Sequence, residues 1–126
     1  MKVADTDVLI DALRGKGAAD RIRAELATGR LATTVVSVYE LLAGAKSERD
    51  REQIERLLAA IEPLPVDPAA AREAASIARE LEARGLRIGP ADTLIAGICR
   101  LRSATLLTRN RAHFERVPGL VVGGID

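Results

Sequence analysis

Near the start of the chain, Val3-Ala4-Asp5-Thr6-Asp7-Val8-Leu9-Ile10 passes from an apolar strand into a helix with only polar capping side chains between them. Lys2 to Ala4 reads as a very short strand. Asp5, Thr6 and Asp7 then offer oxygens to the free N–H groups of a helix start, ahead of Leu9, Ile10 and Leu13 at helical spacing. A strand that ends on an acid and turns at once into a helix is the opening unit of an α/β sheet, and the remaining chain continues the alternation.

Outward from that unit, Arg14-Gly15-Lys16-Gly17 breaks the first helix, and Ala19, Ile22 and Leu26 mark one face of a second, ended by Gly29. Leu31 to Thr34 is the next strand and Val36 to Ala45 the next helix. Ser47 caps a charged amphipathic helix whose apolar face carries Ile54, Leu57, Leu58 and Ile61, so the two helices form a hairpin. Pro63 and Pro65 frame an extended piece through Val66. Asp67-Pro68 opens a helix with Ala71, Ala74, Ala75, Ala78 and Leu81 on one stripe, closed by Gly85. Gly89-Pro90 starts another with Leu94, Ile98 and Leu101 inward, before strands at Thr105–Thr108 and Leu120–Val122.

Parallel strands need crossover connections, and helices supply them, so this order predicts an α/β fold of three layers, α/β/α, around a mostly parallel sheet. No linker, repeat or low-complexity stretch interrupts it, and residues 1–126 read as a single domain. Ligand sites in such sheets lie beyond the carboxyl ends of the strands, where Asp5 falls.

Composition narrows the function classes. Of 126 residues 48% are apolar and 29% charged, a globular balance, and the net charge of +1 selects no partner by itself. Cys99 is the only cysteine, which excludes an internal disulfide and a cysteine-rich zinc site and fits a reducing cytosol. Neither a signal peptide nor an apolar run long enough to span a bilayer is present, so the expected compartment is the cytoplasm and no membrane partner is expected. Tyr39 and Phe114 are the only aromatic residues, too few to coat single strands by stacking.

Charge is most informative where it is missing. Glu40 is the only charged residue between Leu31 and Ala45, and Asp92 the only one between Ile88 and Cys99. Asp5 and Asp7 likewise interrupt the uncharged run from Val3 to Ile10. A lone carboxylate in a buried segment is costly unless it is paired, hydrogen-bonded or bound to a cation. Each acid also has a structural explanation. Asp5 caps the helix after it, Asp92 favours the dipole of a first helical turn, and Glu40 in mid-helix pairs with an arginine. Gathered together with no cysteine and one histidine, they instead form a hard-oxygen site suited to Mg²⁺ or Mn²⁺.

Four blocks, VADTDVLIDAL (3–13), TTVVSVYELLAGA (33–45), IGPADTLIAGICR (88–100) and ATLLTRNRAHFERVPGLVV (104–122), resemble in order the successive blocks of PIN domains, especially the toxin member of VapBC-type toxin–antitoxin pairs. The resemblance covers nearly the whole chain. It implies a Mg²⁺- or Mn²⁺-dependent endoribonuclease acting on an RNA substrate, held inactive by a cognate antitoxin and forming a homodimer. It places the family's first three acids, catalytic and metal-binding, at Asp5, Glu40 and Asp92. Asp7 matches a position that commonly holds a small polar residue and supplements the site. The family's fourth acid falls in the block matching TRNRAHF, where this chain has Asn110 and His113 and no acid before Glu115.

In that reading bound metal polarises the phosphoryl group and lowers the pKa of a water, while Thr6 and Ser37 hold the carboxylates in place. Arg14, Lys16, Arg109 and Arg111 are the candidate phosphate contacts. Asn110 and His113 stand in for the fourth acid by placing a water or meeting a phosphate, though a histidine alone is more often a surface residue. Two alternatives remain at this stage. A PIN-like fold that has lost activity would serve as an RNA- or protein-binding module. The opening DTDVL also looks like the start of haloacid-dehalogenase-type phosphatases, but the lysines are confined to Lys2, Lys16 and Lys46 and no acid pair follows Asp92.

Overall fold

A computed structural model describes residues 1–125. Strands β1 (Lys2–Ala4), β2 (Leu31–Thr34), β3 (Glu62–Leu64), β4 (Thr105–Leu107) and β5 (Val121–Gly123) form one sheet in the order β3-β2-β1-β4-β5. Every neighbouring pair is parallel, so the sheet is wholly rather than mostly so. Helices α1 (Thr6–Arg14), α2 (Ala19–Ala27), α3 (Val35–Ala43), α4 (Glu48–Leu58), α5 (Pro68–Ala83), α6 (Pro90–Leu101) and α7 (Arg111–Phe114) make the connections. From β1 the chain moves to β2 on one side and later returns to β4 on the other. The carboxyl end of β1 is therefore the point where strand order reverses, the place where open α/β sheets form their ligand sites.

The three central strands are short but buried on both faces: Val3, Ala4, Ala32, Leu106 and Leu107 are all fully or almost fully covered, whereas the edge strands β3 and β5 are partly exposed. That explains their continuous apolar reading. Pro63 is tolerated because β3 is an edge strand, where a missing N–H breaks no ladder. One half of the core gathers Val3, Ile77, Leu81, Ile95, Ile98 and Phe114, and the other Ala4, Val8, Leu9, Ile22 and Ile54. Helices α5 and α6 approach closely because Gly97 has no side chain. A Cβ there would lie 2.8 Å from both the backbone nitrogen and the Cβ of Ala74.

Several expectations need correcting. On α5 the buried face is Ala70, Ala74, Ile77 and Leu81, whereas Ala71, Ala75 and Ala78 are exposed. Alanines populate more than one stripe of this helix, and the large Ile77 and Leu81 decide which turns inward. On α6 the inward stripe is Ile95, Ile98 and Cys99, with Leu94 beside it and Leu101 39% exposed. Helix α4 stops at Leu58, and Ile61 is buried in the turn beyond it, where its N–H donates to Leu58 O. The last strand begins one residue later than expected, and the single turn α7 was too short to leave a period. Among the described residues no helix is long and apolar enough to cross a membrane.

Candidate active site

Asp5 follows the last residue of β1 and caps α1, so its backbone is still extended where the strand ends. Its Oδ1 accepts from the Thr6 N–H at 2.8 Å, and its Oδ2 accepts from the Thr108 hydroxyl at 2.7 Å. The helix-cap explanation is thus correct but incomplete. Asp5 is 6% exposed. Burial pushes its carboxyl from 3.8 up to about 7, the charges of Asp7 and Asp92 add to the rise, and the Thr108 and Thr6 hydrogen bonds oppose it.

Glu40 comes in from α3, which starts directly at the end of β2 because Thr34 caps it by accepting the Ser37 N–H. Thr6 Oγ1 donates to Glu40 Oε1 at 2.6 Å and shares a 2.9 Å hydrogen bond with the buried Ser37 hydroxyl. Among the described residues no arginine pairs with Glu40. Its fixed partner is Thr6, the residue after Asp5. Ser37 thus acts on Glu40 through Thr6 and touches no carboxylate itself.

Asp92 stands in the first turn of α6. Asn110 Nδ2 donates to its Oδ2 at 3.4 Å, and His113 Nδ1 lies 3.5 Å from the same oxygen. Asn110 Nδ2 and His113 Nδ1 are themselves 2.9 Å apart. The two residues at the place of the missing fourth acid therefore converge on the third.

Asp7 is tied to the same segment after β4. Its Oδ2 accepts from the Arg109 N–H at 3.1 Å and lies 3.4 Å from Thr108 Oγ1, while its buried Oδ1 has no hydrogen-bond partner among the described residues. Burial raises its pKa too, against the Arg109 N–H and guanidinium. Arg14 lines a groove with Glu40, Leu41 and Ile54. Lys16 is exposed on the loop after α1, and among the described residues its hydrogen bonds are confined to its backbone. Arg109 pairs with Asp11 at 3.1 Å, and Arg111 is engaged with Glu115 and the Gly123 carbonyl. Cys99 is buried, its thiol pushed up to about 12 by burial with Asp5 adding to the rise, which suits a packing residue and not a nucleophile.

Two residues escaped the sequence reading. Thr108 lies within the PIN-like stretch 104–122 but is an ordinary strand-end threonine in sequence. Asp11 is 3% exposed and pairs with a residue far along the chain, which no local pattern reveals.

A family model described as the PIN domain matches residues 2–120. The chain belongs to the PIN-domain family. It is 37% identical over 120 residues to the tRNA(fMet)-specific endonuclease VapC of Shigella flexneri, covering 92% of this chain and 91% of that protein. It is also 37% identical over 115 residues to ribonuclease VapC10 of Mycobacterium tuberculosis, with 90% and 86% covered. Among solved structures, DNA-bound VapBC from Salmonella typhimurium matches this PIN domain with a TM-score of 0.90 at 32% identity, covering 99% and 98% of the two chains. VapBC2 from Rickettsia felis, bound to a promoter DNA fragment, matches with a TM-score of 0.88 at 25% identity, covering 97% and 96%. The expected fold, the VapC-like ribonuclease family and its toxin–antitoxin setting are borne out, and the phosphatase alternative falls away.

Among the described residues no three His, Cys, Asp or Glu side chains form a ready-made metal-binding group. The donor chemistry nevertheless fits a hard cation. Asp5 is a buried acid whose ionisation is opposed by Asp7 and Asp92, and Asp7 Oδ1 is an orphaned acceptor. Mg²⁺ commonly takes one or two protein carboxylates and keeps several waters, so a closed cage is not required.

Proposed function

We propose that this PIN domain is a Mg²⁺- or Mn²⁺-dependent endoribonuclease that acts as the toxin of a type II toxin–antitoxin pair. The observation that carries the reading is the placement of Asp5, Glu40 and Asp92 around the carboxyl end of β1, each tied to a polar side chain from another segment. Asp5 and Asp92 would hold the metal, and Glu40, fixed by Thr6, would complete the site. When bound, such an ion neutralises charge on a phosphodiester and supplies hydroxide from water near neutral pH.

The chain's own part is to position and to exclude. Thr108 and Thr6 aim the carboxylates of Asp5 and Glu40, and burial around Asp5 keeps bulk water from competing for it. In hydrolysis water attacks phosphorus, the bond to the leaving ribose oxygen breaks, and that oxygen takes a proton. Arg14, on the groove beside Glu40, is the best placed of the four cations to meet the RNA backbone. Arg109 and Arg111 are largely engaged within the protein, so their contribution is secondary. Transfer RNA is the first substrate class to test, because a relative 37% identical over 120 residues is named as a tRNA-specific endonuclease.

The toxin role carries with it a cognate antitoxin as partner, as in the VapBC complexes that share this fold. It also carries homodimer formation and cytoplasmic residence, which light scattering of the purified protein and cell fractionation check. The deciding experiment is cleavage of a labelled tRNA pool with Mg²⁺ or Mn²⁺, with chelator, and with Asp5→Asn. Metal-dependent cleavage lost in the variant is expected. Equal cleavage in all arms sinks the metal-nuclease reading. No cleavage in any arm, together with retained RNA binding, favours an inactive binding module, the alternative that Asn110 in place of an acid keeps open.

A further inference from the structure

The segment Thr108–Asn110 belongs to neither strand nor helix, yet it supplies the hydroxyl on Asp5 and the amide on Asp92. Within the segment, the Asn110 N–H donates to Thr108 Oγ1 at 3.0 Å, so the two contacts move together. What anchors the segment is α1. Asp7 and Asp11 are four residues apart on that helix and therefore share a face. Asp7 Oδ2 accepts from the backbone N–H of Arg109 at 3.1 Å, and Asp11 Oδ2 forms an ion pair with its guanidinium Nε at 3.1 Å.

We propose that Asp7 and Asp11 are positioning residues that clamp Arg109 by backbone and by side chain, fixing Thr108 and Asn110 against Asp5 and Asp92. The inference rests on the nuclease reading for its effect on rate, but the clamp itself is a matter of geometry.

Asp11 has the attributes of a built anchor. Its side chain is 4% exposed, and a carboxylate so placed needs its charge compensated. It receives the Ala18 N–H at 2.9 Å as well as Arg109, so α2, α1 and the site segment meet on one carboxylate. Gly17 makes room for it. At φ +59° this residue has a left-handed backbone, and a Cβ there would overlap the Asp11 carboxylate. Arg109 is thereby turned from a free phosphate contact into part of the frame, which explains why a cation next to the site is committed to an internal partner.

The test compares Asp7→Ala, Asp7→Asn and Asp11→Asn, reading amide hydrogen exchange at Arg109 and Ala18 together with steady-state cleavage of labelled RNA. Asp7→Ala removes the acceptor and is expected to raise Arg109 exchange and lower kcat by about tenfold to a hundredfold, with KM nearly unchanged. Asp7→Asn keeps an acceptor oxygen and is expected to restore the Arg109 protection, whatever the loss of its charge does to the rate. Asp11→Asn keeps the Ala18 hydrogen bond and loses only the ion pair, so Arg109 exchange rises while Ala18 stays protected. Unchanged Arg109 exchange in Asp7→Ala and Asp11→Asn, or Arg109 exchange as fast in Asp7→Asn as in Asp7→Ala, overturns the clamp. Absence of metal-dependent cleavage by the unsubstituted protein sinks the nuclease reading instead, and the exchange measurements still decide the clamp.

Discussion

The Thr108 hydroxyl at the end of β4 donates to Asp5 Oδ2 at 2.7 Å, joining residues 103 positions apart. It draws the end of β4 onto the end of β1 at the point where the strand order reverses. It is also the strongest of the contacts that oppose the rise in the Asp5 pKa. One hydroxyl therefore serves both the approach of the two strand ends and the charge state of Asp5.

Thr108→Val keeps shape and removes the donor. Asp5, already pushed to about 7 by burial, loses an opposing contact, so its pKa rises further. A ligand that must be ionised then becomes available only at higher pH, and the acid limb of the kcat/KM profile moves up. Thr108→Ser should return the limb to its original position. A pH–rate profile unchanged in Thr108→Val contradicts this assignment.

Thr6→Val separates Asp5 from Glu40 in a different way. The Thr6 hydroxyl is the only side chain hydrogen-bonded to Glu40 among the described residues. Its loss is expected to lower cleavage by about tenfold to a hundredfold, as removal of a group that orients a ligand does. The contact is half-buried, so thermal unfolding should move little. Thr6→Ser, which keeps the oxygen, is the rescue, measured by single-turnover cleavage of the same RNA.

Much of the candidate site was readable because its acids stand out against uncharged segments. Asp5, Glu40 and Asp92 each interrupt an apolar segment, and the strand–acid–helix unit at Val3–Ile10 fixed where one of them would sit. Thr108 was hidden because threonine at a strand end is ordinary by propensity. Asp11 and Arg109 were hidden because their pairing exists only once α1 and the end of β4 are side by side. On α5 the apolar pattern was visible and its direction was not, since Ala71, Ala74, Ala75 and Ala78 occupy more than one stripe and only Ile77 and Leu81 have the bulk to choose.

Gly97→Val tests packing away from the site. Its first added carbon would meet the Ala74 backbone nitrogen at 2.8 Å, an approach that requires α5 and α6 to part. Overpacking of this kind costs about 1–3 kcal/mol. Urea unfolding should show a lower midpoint, with kcat per folded molecule retained. A midpoint equal to that of the unsubstituted protein contradicts the close packing of these helices.

Asp5 also predicts a conflict between function and stability that metal should resolve. In the unfolded chain its carboxyl ionises near 3.8, and in the folded chain at about 7. Between those values the folded state holds the proton and the unfolded state has released it, so stability falls as pH rises through this window and the loss is complete above it. One pKa unit corresponds to about 1.4 kcal/mol, so the loss reaches roughly 4 kcal/mol by pH 8 in metal-free protein. Asp5→Asn abolishes that dependence: its amide oxygen still accepts from the Thr6 N–H, and its NH₂ turns toward Thr108, whose hydroxyl oxygen accepts in place of donating. The variant is expected to be inactive yet more stable than the parent in chelator at pH 8, and close to it at pH 4. Adding Mg²⁺ at pH 8 should raise the unfolding temperature of the parent and leave Asp5→Asn almost unmoved. Thermal scans at the two pH values, with and without metal, check all of this. A parent protein equally stable at pH 4 and pH 8 in chelator would rule out Asp5 as the buried acid that dominates its pH response.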